Sequence, residues 1–119
     1  MTLDPEDAKL VTLARSARAR IGARSGASLR DDLGRTYSAA EIHLPSLALS
    51  ALQLAVAQAV AAGAQGCECA VLVTDAEGPD PAADPGIAAL QDFAGAEVPV
   101  LLCAVDGSVV ATLATHDRR

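Results

Sequence analysis

The sequence predicts an α/β fold, a three-layer α/β/α sandwich with a mixed five-stranded sheet. Helix and strand patterns alternate along the 119 residues, a length that suits one domain spanning positions 1–119. Residues 70–73 form a continuous apolar run, typical of a strand that helices cover on both faces. Short turn segments at 31–34 and 106–107 each join two strand patterns and predict antiparallel hairpins. A buried central strand with hairpins on either side predicts a mixed sheet.

The first element is a helix over residues 4–22. Asp4 and Pro5 are a typical helix start, and Gly22 is a typical stop. Apolar residues recur at helical spacing along it and predict a single buried face; they are Leu10, Leu13, Ala14, Ala17 and Ile21. Residues 26–29 and 35–39 then predict two strands, joined by a turn in which Gly34 supplies positive φ.

A long helix is predicted next, from Pro45 or Ser46 to Ala62. It is rich in Ala and apolar almost all round. A helix without a polar face is normally central, covered by the sheet on one side and by other helices or a second subunit on the other. The buried strand at 70–73 follows this helix.

The last third of the chain begins with a loop at 74–84 that is acidic and rich in Pro and Gly. Asp84 is predicted to cap a short helix whose first residue is Pro85. Residues 98–105 and 109–115 predict two closing strands joined by a tight turn, which favours an antiparallel hairpin.

Composition and charge argue against two classes of partner. The formal net charge is −6, and residues 36–117 contain no Lys or Arg, so most of the surface would repel a phosphate backbone. Tyr37 and Phe93 are the only aromatic residues, too few for the stacking platforms of single-strand binders. The longest apolar stretch, 47–62, is too short for a bilayer. We expect neither a nucleic acid nor a membrane as partner.

The chain has three cysteines, Cys67, Cys69 and Cys103, an odd number that argues against a disulfide framework. Because no signal-peptide pattern precedes them, we expect a cytoplasmic protein. Alternation along a strand would place Cys67 and Cys69 on one face, where they could converge with Cys103, His43 and His116. The alternative is that the three thiols are ordinary small core residues.

Two helix starts resemble a known pair of motifs. They read Leu49-Ser50-Ala51-Leu52-Gln53 and Asp84-Pro85-Gly86-Ile87-Ala88-Ala89-Leu90-Gln91. They resemble the Cys-Ala-Glu and Pro-Cys-x-x-Cys-x-Gln segments of the cytidine deaminase superfamily. Ser25-Gly26-Ala27-Ser28-Leu29 and Asp32-Leu33-Gly34-Arg35 are similar to that family's first hairpin. The resemblance implies the family's sandwich, and the antiparallel ending resembles its free-nucleoside branch.

Every chemically active position of that pattern is replaced. In the family, three Cys or His side chains hold Zn²⁺ and a Glu transfers the proton of the activated water. Ser50, Gly86 and Ala89 stand at the ligand positions and Leu52 stands at the Glu position. Gly and Ala have no donor atom, and Leu cannot act as a base. The family's aromatic lid is also missing from residues 21–25. The resemblance therefore implies a degenerate member without zinc, another cofactor or catalytic residues.

One polar position of the family's pocket has a counterpart here. An alignment without a gap places Glu41 at the family's ribose-binding Glu, whereas a two-residue gap places His43 there. The alternative is that Glu41 is a solvated charge that closes a strand. We take Glu41, His43 and Asp84, with Ser50, Leu52, Gly86 and Ala89, as candidate residues of a vestigial pocket.

The sequence thus predicts a zinc-free pseudoenzyme, a cytoplasmic structural or regulatory interaction module. The Ala-rich helices and the resemblance predict a homo-oligomer, a dimer or tetramer, and an unidentified protein partner is a further expectation. Two alternatives stay open: a nucleoside-like small-molecule binder, and a divergent hydrolase of the cytidine deaminase type with relocated chemistry.

Overall fold

A mixed sheet with helices on both faces organises the structure, a computed structural model that describes residues 3–75, 77–78 and 80–116. The helices are α1 (Pro5–Ile21), α2 (Ala51–Ala61) and α3 (Pro85–Ala94), with a 3₁₀ turn at Pro81–Ala83. The strands are β1 (Ser25–Asp31), β2 (Thr36–Ala40), β3 (Ile42–Leu44), β4 (Leu47–Leu49), β5 (Cys67–Thr74), β6 (Pro99–Cys103) and β7 (Val109–Ala114).

The main sheet has five strands in the order β2-β1-β5-β6-β7. Strands β5 and β6 run parallel, and the other three neighbouring pairs are antiparallel. The predicted mixed five-stranded sheet is therefore confirmed, and so are the opening hairpin β1–β2 and the closing hairpin β6–β7. The connection from β5 to β6 runs through α3, as expected for a parallel pair.

Two hydrophobic cores lie on opposite faces of this sheet. Helix α1 packs on one face, where Leu10 and Ala14 meet Val71, Val73 and Leu101. Helices α2 and α3 pack on the other face. The residues of that second core include Leu29, Leu52, Ala55, Leu72, Leu90 and Val100. Small aliphatic side chains fill both cores, so the helices lie close to the sheet.

The packing of α1 shows how close that approach is. A Cβ atom added to Gly26 of β1 would collide with the carbonyl oxygen of Ala14 and would lie 2.9 Å from the backbone nitrogen of Arg18. Ser28 donates a hydrogen bond of 2.6 Å to the carbonyl oxygen of Leu10. Glycine at position 26 thus allows α1 to rest directly on β1.

The prediction of one long helix from Pro45 or Ser46 is wrong. Residues 42–49 form a separate two-stranded sheet, β3 and β4, with Pro45 and Ser46 at the turn. Helix α2 begins after Ser50, because Ser50 and Gln53 form a capping box: Ser50 Oγ accepts from the Gln53 N–H, and Gln53 Oε1 accepts from the Ser50 N–H. A capping box satisfies two helix-end N–H groups and sets a sharp start.

Helix α2 is buried on one side only within this chain. The sheet and α3 bury one side of it, including Ala51, Leu52 and Ala55. Ala57, Val60 and Ala61 are exposed on the other side. The sheet and α3 thus cover one side of α2, and a second subunit on the other side stays a prediction.

The expectation that Cys67 and Cys69 share a face is wrong as well. The register of β1 and β5 pairs Arg30 with Cys69 and Asp31 with Cys67, so Glu68 is an extra residue in a β-bulge. The bulge breaks the alternation, and Cys67 packs towards the α2 core while Cys69 lies in the α1 core. The alternative interpretation, small core residues, fits their places.

The helices of the described residues include none with both the length and the hydropathy needed to cross a bilayer.

Candidate functional site

The two helix starts singled out in the sequence meet in space. Ser50 is the N-cap of α2 and Asp84 is the N-cap of α3. The Ser50 hydroxyl donates a hydrogen bond of 2.7 Å to Asp84 Oδ1, which also accepts from the Gly86 N–H at 2.7 Å. One shared hydrogen bond thus joins the N-termini of both helices.

Leu52 and Gly86 fill the space behind this hydrogen bond. Leu52 is fully buried. A Cβ atom added to Gly86 would collide with the Leu52 side chain, 2.8 Å from its Cγ, and would lie 2.7 Å from the backbone nitrogen of Gln53. Ala89, one turn further along α3, packs half-buried against the same core. The side chain of Leu52 therefore occupies the room that a side chain at position 86 would need.

These residues do not fit a zinc ion. The Ser50 hydroxyl already donates to Asp84 and accepts from the Gln53 N–H. Gly86 and Ala89 have no donor atom, and Zn²⁺ needs three or four N, S or carboxylate ligands. Within the described residues, no three His, Cys, Asp or Glu side chains are grouped closely enough to hold a metal. No step of zinc chemistry can be derived from this junction.

Glu41 and His43, alternatives in the alignment, lie side by side. Glu41 Oε2 is 3.2 Å from His43 Nε2. Glu41 Oε1 accepts from the backbone N–H groups of Arg24 and Ser25, at 2.9 and 3.1 Å. The Glu41 carboxylate thus holds the start of β1 in place, and its side chain is only 17% exposed. Glu41 is therefore held by hydrogen bonds to β1 and is not the freely solvated charge that the sequence left open as an alternative.

A small polar cavity remains between Glu41 and the helix junction. Its volume is about 190 Å³. Its lining includes Arg24, Glu41, Ser50, Thr74, Asp80 and Asp84. Ligand pockets for drug-sized molecules are larger, roughly 300–1,000 Å³. Several lining groups are already hydrogen-bonded: Ser25 Oγ is 2.8 Å from Thr74 Oγ1, and Arg24 Nε is 3.2 Å from both carboxylate oxygens of Asp75, which lies outside the lining.

Outside Glu41 lies a wider and mainly apolar depression of about 730 Å³. Its lining includes Ile21, Ala23, Ile42, His43 and Leu44. His43 is therefore in this outer depression and does not line the inner cavity. The structure brings Glu41, Ser50 and Asp84 to one cavity and His43 to the depression outside it. The other three candidates do not line the cavity and lie in the packing of α2 against α3: Leu52, Gly86 and Ala89.

A buried carboxylate, Asp31, lies where the sequence pattern predicts only a turn. The side chain of Asp31 is fully buried at the end of β1. Burial opposes ionisation, but hydrogen bonds from the Arg35 and Leu33 N–H groups, the Tyr37 hydroxyl and Arg35 Nε outweigh it. Together they lower the pKa of Asp31 to about 2. The sequence signal for this site was a pair of side-chain donors close by, Arg35 and Tyr37, which lie four and six residues after Asp31.

The thiols have no arrangement that suggests chemistry. Burial raises the pKa of Cys67 to about 11 and that of Cys69 to about 12, and it also raises the pKa of Cys103. His116 lies near α3, where its N–H donates to Gln91 Oε1, and His43 is exposed on β3. The proposed constellation of Cys67, Cys69 and Cys103 with two histidines is not brought together.

Comparisons with known proteins agree with this architecture. The profile of a family described as cytidine deaminase-like matches residues 3–107. The structure is similar to cytidine deaminase from Burkholderia pseudomallei, with a TM-score of 0.74 and 20% identity over 91% of this chain and 90% of that one. It is also similar to the enzyme from Mycobacterium leprae, with a TM-score of 0.69 and 18% identity over 94% and 95% of the two chains. No curated protein matches the sequence.

Proposed function

The chain belongs to the cytidine deaminase-like family, and we propose that it is a non-catalytic member, an oligomeric structural or regulatory interaction module of the cytoplasm. The packing of Leu52 against Gly86 carries this proposal. A zinc hydrolase needs an open space at that point for the ion, its water and a base. Here the space holds an aliphatic side chain, and the one hydroxyl beside it is committed to capping two helices.

Elemental analysis tests the zinc-free part of the proposal. We expect the purified wild-type protein to contain far less than one zinc per chain and to leave cytidine unchanged. The comparison variant is Ser50→Cys, Leu52→Glu, Gly86→Cys, Ala89→Cys, which puts back the family's ligands and base. Because a side chain at position 86 collides with residue 52 and the Gln53 nitrogen, circular dichroism first checks that this variant is folded. About one zinc per wild-type chain, or cytidine turnover by it, would overturn the proposal.

Two exposed apolar surfaces support the role as an interaction module. On α2, Val60 is exposed between Ala57 and Ala61. On the β3–β4 hairpin, Leu44 and Leu47 are 59% and 48% exposed, although a two-stranded sheet is only marginally stable without a cover. Apolar patches of this kind mark contacts with other chains. We assign the α2 surface to contact between copies of this chain, in a dimer or tetramer.

Light scattering after size exclusion tests the oligomer. Val60→Lys would place a charge in the proposed helix contact, so the mass should fall to a smaller multiple of the 12.0 kDa chain. Leu47→Lys tests the hairpin in the same way. Leu33→Lys is the matched control, because Leu33 is 75% exposed in the β1–β2 turn and belongs to neither surface. A wild-type monomer at all concentrations would contradict an oligomeric module.

The second candidate function, binding of a nucleoside-like small molecule, has one observation in its favour. Glu41, Ser50 and Asp84 converge on the inner cavity. A ligand of the folded state must raise the unfolding midpoint, so a thermal-shift screen with nucleosides separates the two candidates. We expect no shift, since the cavity is small and its polar groups are already paired.

A further inference from the structure

Strand β7 ends the sheet, and a β-bulge at Val110 is the only edge protection among its described residues. It is the last strand in the sheet order, and no strand among the described residues pairs with its outer side. Its six residues are Val109 to Ala114, with neither a charge nor a proline. Val110 is 67% exposed. Natural edges are normally blocked by Lys, Pro or a bulge, because free N–H and C=O groups recruit another strand.

Strand β2, at the opposite edge of the sheet, also has neither a charge nor a proline, but its two faces are more covered than those of β7. Strand β2 packs against both α1 and α2, so helices flank it on the two faces. In β7, by contrast, Val110, Ala111 and Thr112 are exposed in succession, which includes side chains of both faces. A register shift lies between the pairs of Ala111 and Val109, at the start of the strand. The segment from Ala111 to Ala114 remains a regular ladder.

The register shows which backbone groups of β7 are free. Thr115 N–H donates to the Val98 carbonyl oxygen at 3.0 Å, so this pair is hydrogen-bonded across the β6–β7 ladder. Hydrogen-bonded and non-bonded pairs alternate in an antiparallel ladder. Ala114 therefore belongs to a non-bonded pair, and its partner is Pro99, which has no N–H to offer. By the same alternation, the N–H and C=O groups of Thr112 and Ala114 point away from β6.

We propose that β7 pairs edge to edge with β7 of a second copy of this chain and joins two five-stranded sheets into one. A two-fold axis at Thr112 makes the strands antiparallel, sets Thr112 opposite the partner subunit's Thr112, and places Val110 opposite the partner subunit's Ala114. The branched side chain of Val110 then lies opposite the methyl group of the partner subunit's Ala114. Two copies that each carry a net charge of −6 repel one another, and β7 is a strip without charge along which they can meet. This contact is independent of the α2 and hairpin surfaces.

Amide hydrogen exchange measured by NMR tests the pairing directly. In a concentrated sample the Thr112 and Ala114 amides should be protected, and dilution should release them. The Ala111 and Leu113 amides are the internal control, because they bond to β6 and should stay protected at both concentrations. Fast exchange of Thr112 and Ala114 at high concentration would overturn the proposal.

A proline substitution tests the contact by mass. Thr112→Pro removes an outward N–H and keeps the ladder with β6, so it should halve the mass measured by light scattering. Thr112→Val keeps the N–H and should behave as wild type. If circular dichroism shows that Thr112→Pro is unfolded, Val110→Lys replaces it, with the same expected loss. A folded blocking variant with the wild-type mass, or a monomeric wild type, would refute β7 pairing. Because Val60→Lys disrupts a different surface, failure of one contact is distinguishable from failure of the other.

Discussion

At the scale of single residues, the helix junction is a coupled pair of changes. Leu52 fills space that a side chain at position 86 would require, and Gly86 is the residue that leaves this space free. Neither residue explains the packing alone. Each therefore constrains the other, as expected for neighbours in a close-packed interior.

Gly86→Ala tests this coupling. An alanine inside a helix normally stabilises it relative to glycine, but here the new methyl group would collide with Leu52, and overpacking costs about 1–3 kcal/mol. We expect a loss of unfolding free energy of this order in urea titrations. In a Leu52→Ala background, which itself costs about 2–5 kcal/mol, the clash with the Leu52 Cγ is removed but those with the Cβ of residue 52 and the Gln53 nitrogen stay, so the penalty should become smaller. Equal effects of Gly86→Ala in both backgrounds would contradict the contact.

Asp31 gives a pH-dependent prediction. Its pKa is about 2 in the folded protein, below the value of about 3.9 in an unfolded chain, so the folded state favours the ionised carboxylate. The stability from this group should be complete above about pH 4 and should be lost as the pH falls towards 2. Asp31→Asn should lower the midpoint at neutral pH and flatten the acid limb between pH 4 and 2. Denaturant titrations at a series of pH values measure both effects, and an unchanged acid limb would contradict them.

At the scale of elements, irregular features place the side chains. The capping box at Ser50 sets the boundary between the β3–β4 hairpin and α2. The bulge at Glu68 interrupts the alternation of side chains between the two faces of β5. Glu68 also pairs with Arg30, whose guanidinium reaches Asp7 of α1. The bulge thus places the Glu68 carboxylate beside Arg30 of β1, and Arg30 also pairs with α1. It also separates two thiols that a regular strand would have placed on one face.

The burial of Cys67 and Cys69 predicts that their thiols react slowly with disulfide reagents. With pKa values of about 11 and about 12, Cys67 and Cys69 are almost wholly protonated at pH 8, and a thiol reacts as the thiolate. We expect a water-soluble disulfide reagent to label the folded protein slowly at pH 8 and to label all three cysteines in denaturant. Cys67 is the most accessible of the three and should react first, which Cys67→Ser would verify. Rapid labelling of Cys69 in the folded state would contradict its place in the α1 core.

At the scale of the whole molecule, the central strand joins the two cores. Val71 faces the α1 core and its neighbour Leu72 faces the α2 core. Because β5 forms part of both cores, loss of packing on one face removes the support of the other. The molecule is therefore expected to unfold as one cooperative unit.

Calorimetry checks this expectation. Val71→Ala and Leu72→Ala remove apolar groups from opposite faces of the same strand, and a buried Leu→Ala substitution costs about 2–5 kcal/mol. Both variants should show one transition at a lower midpoint, with equal calorimetric and van't Hoff enthalpies. A second transition, moved by only one of the two substitutions, would show that the cores unfold independently.

Local signals were enough to predict the helices and strands of the main sandwich, the two hairpins of the main sheet and the capping role of Asp84. Caps, turns and apolar runs act over a few neighbouring residues, so they can be seen in a single sequence. Three features depended on contacts between distant segments: the β3–β4 hairpin in place of a helix start, the separation of Cys67 from Cys69, and the closure of the junction by Leu52 against Gly86. Only the folded chain brings those partners together, because burial and excluded volume act between residues that are neighbours in space.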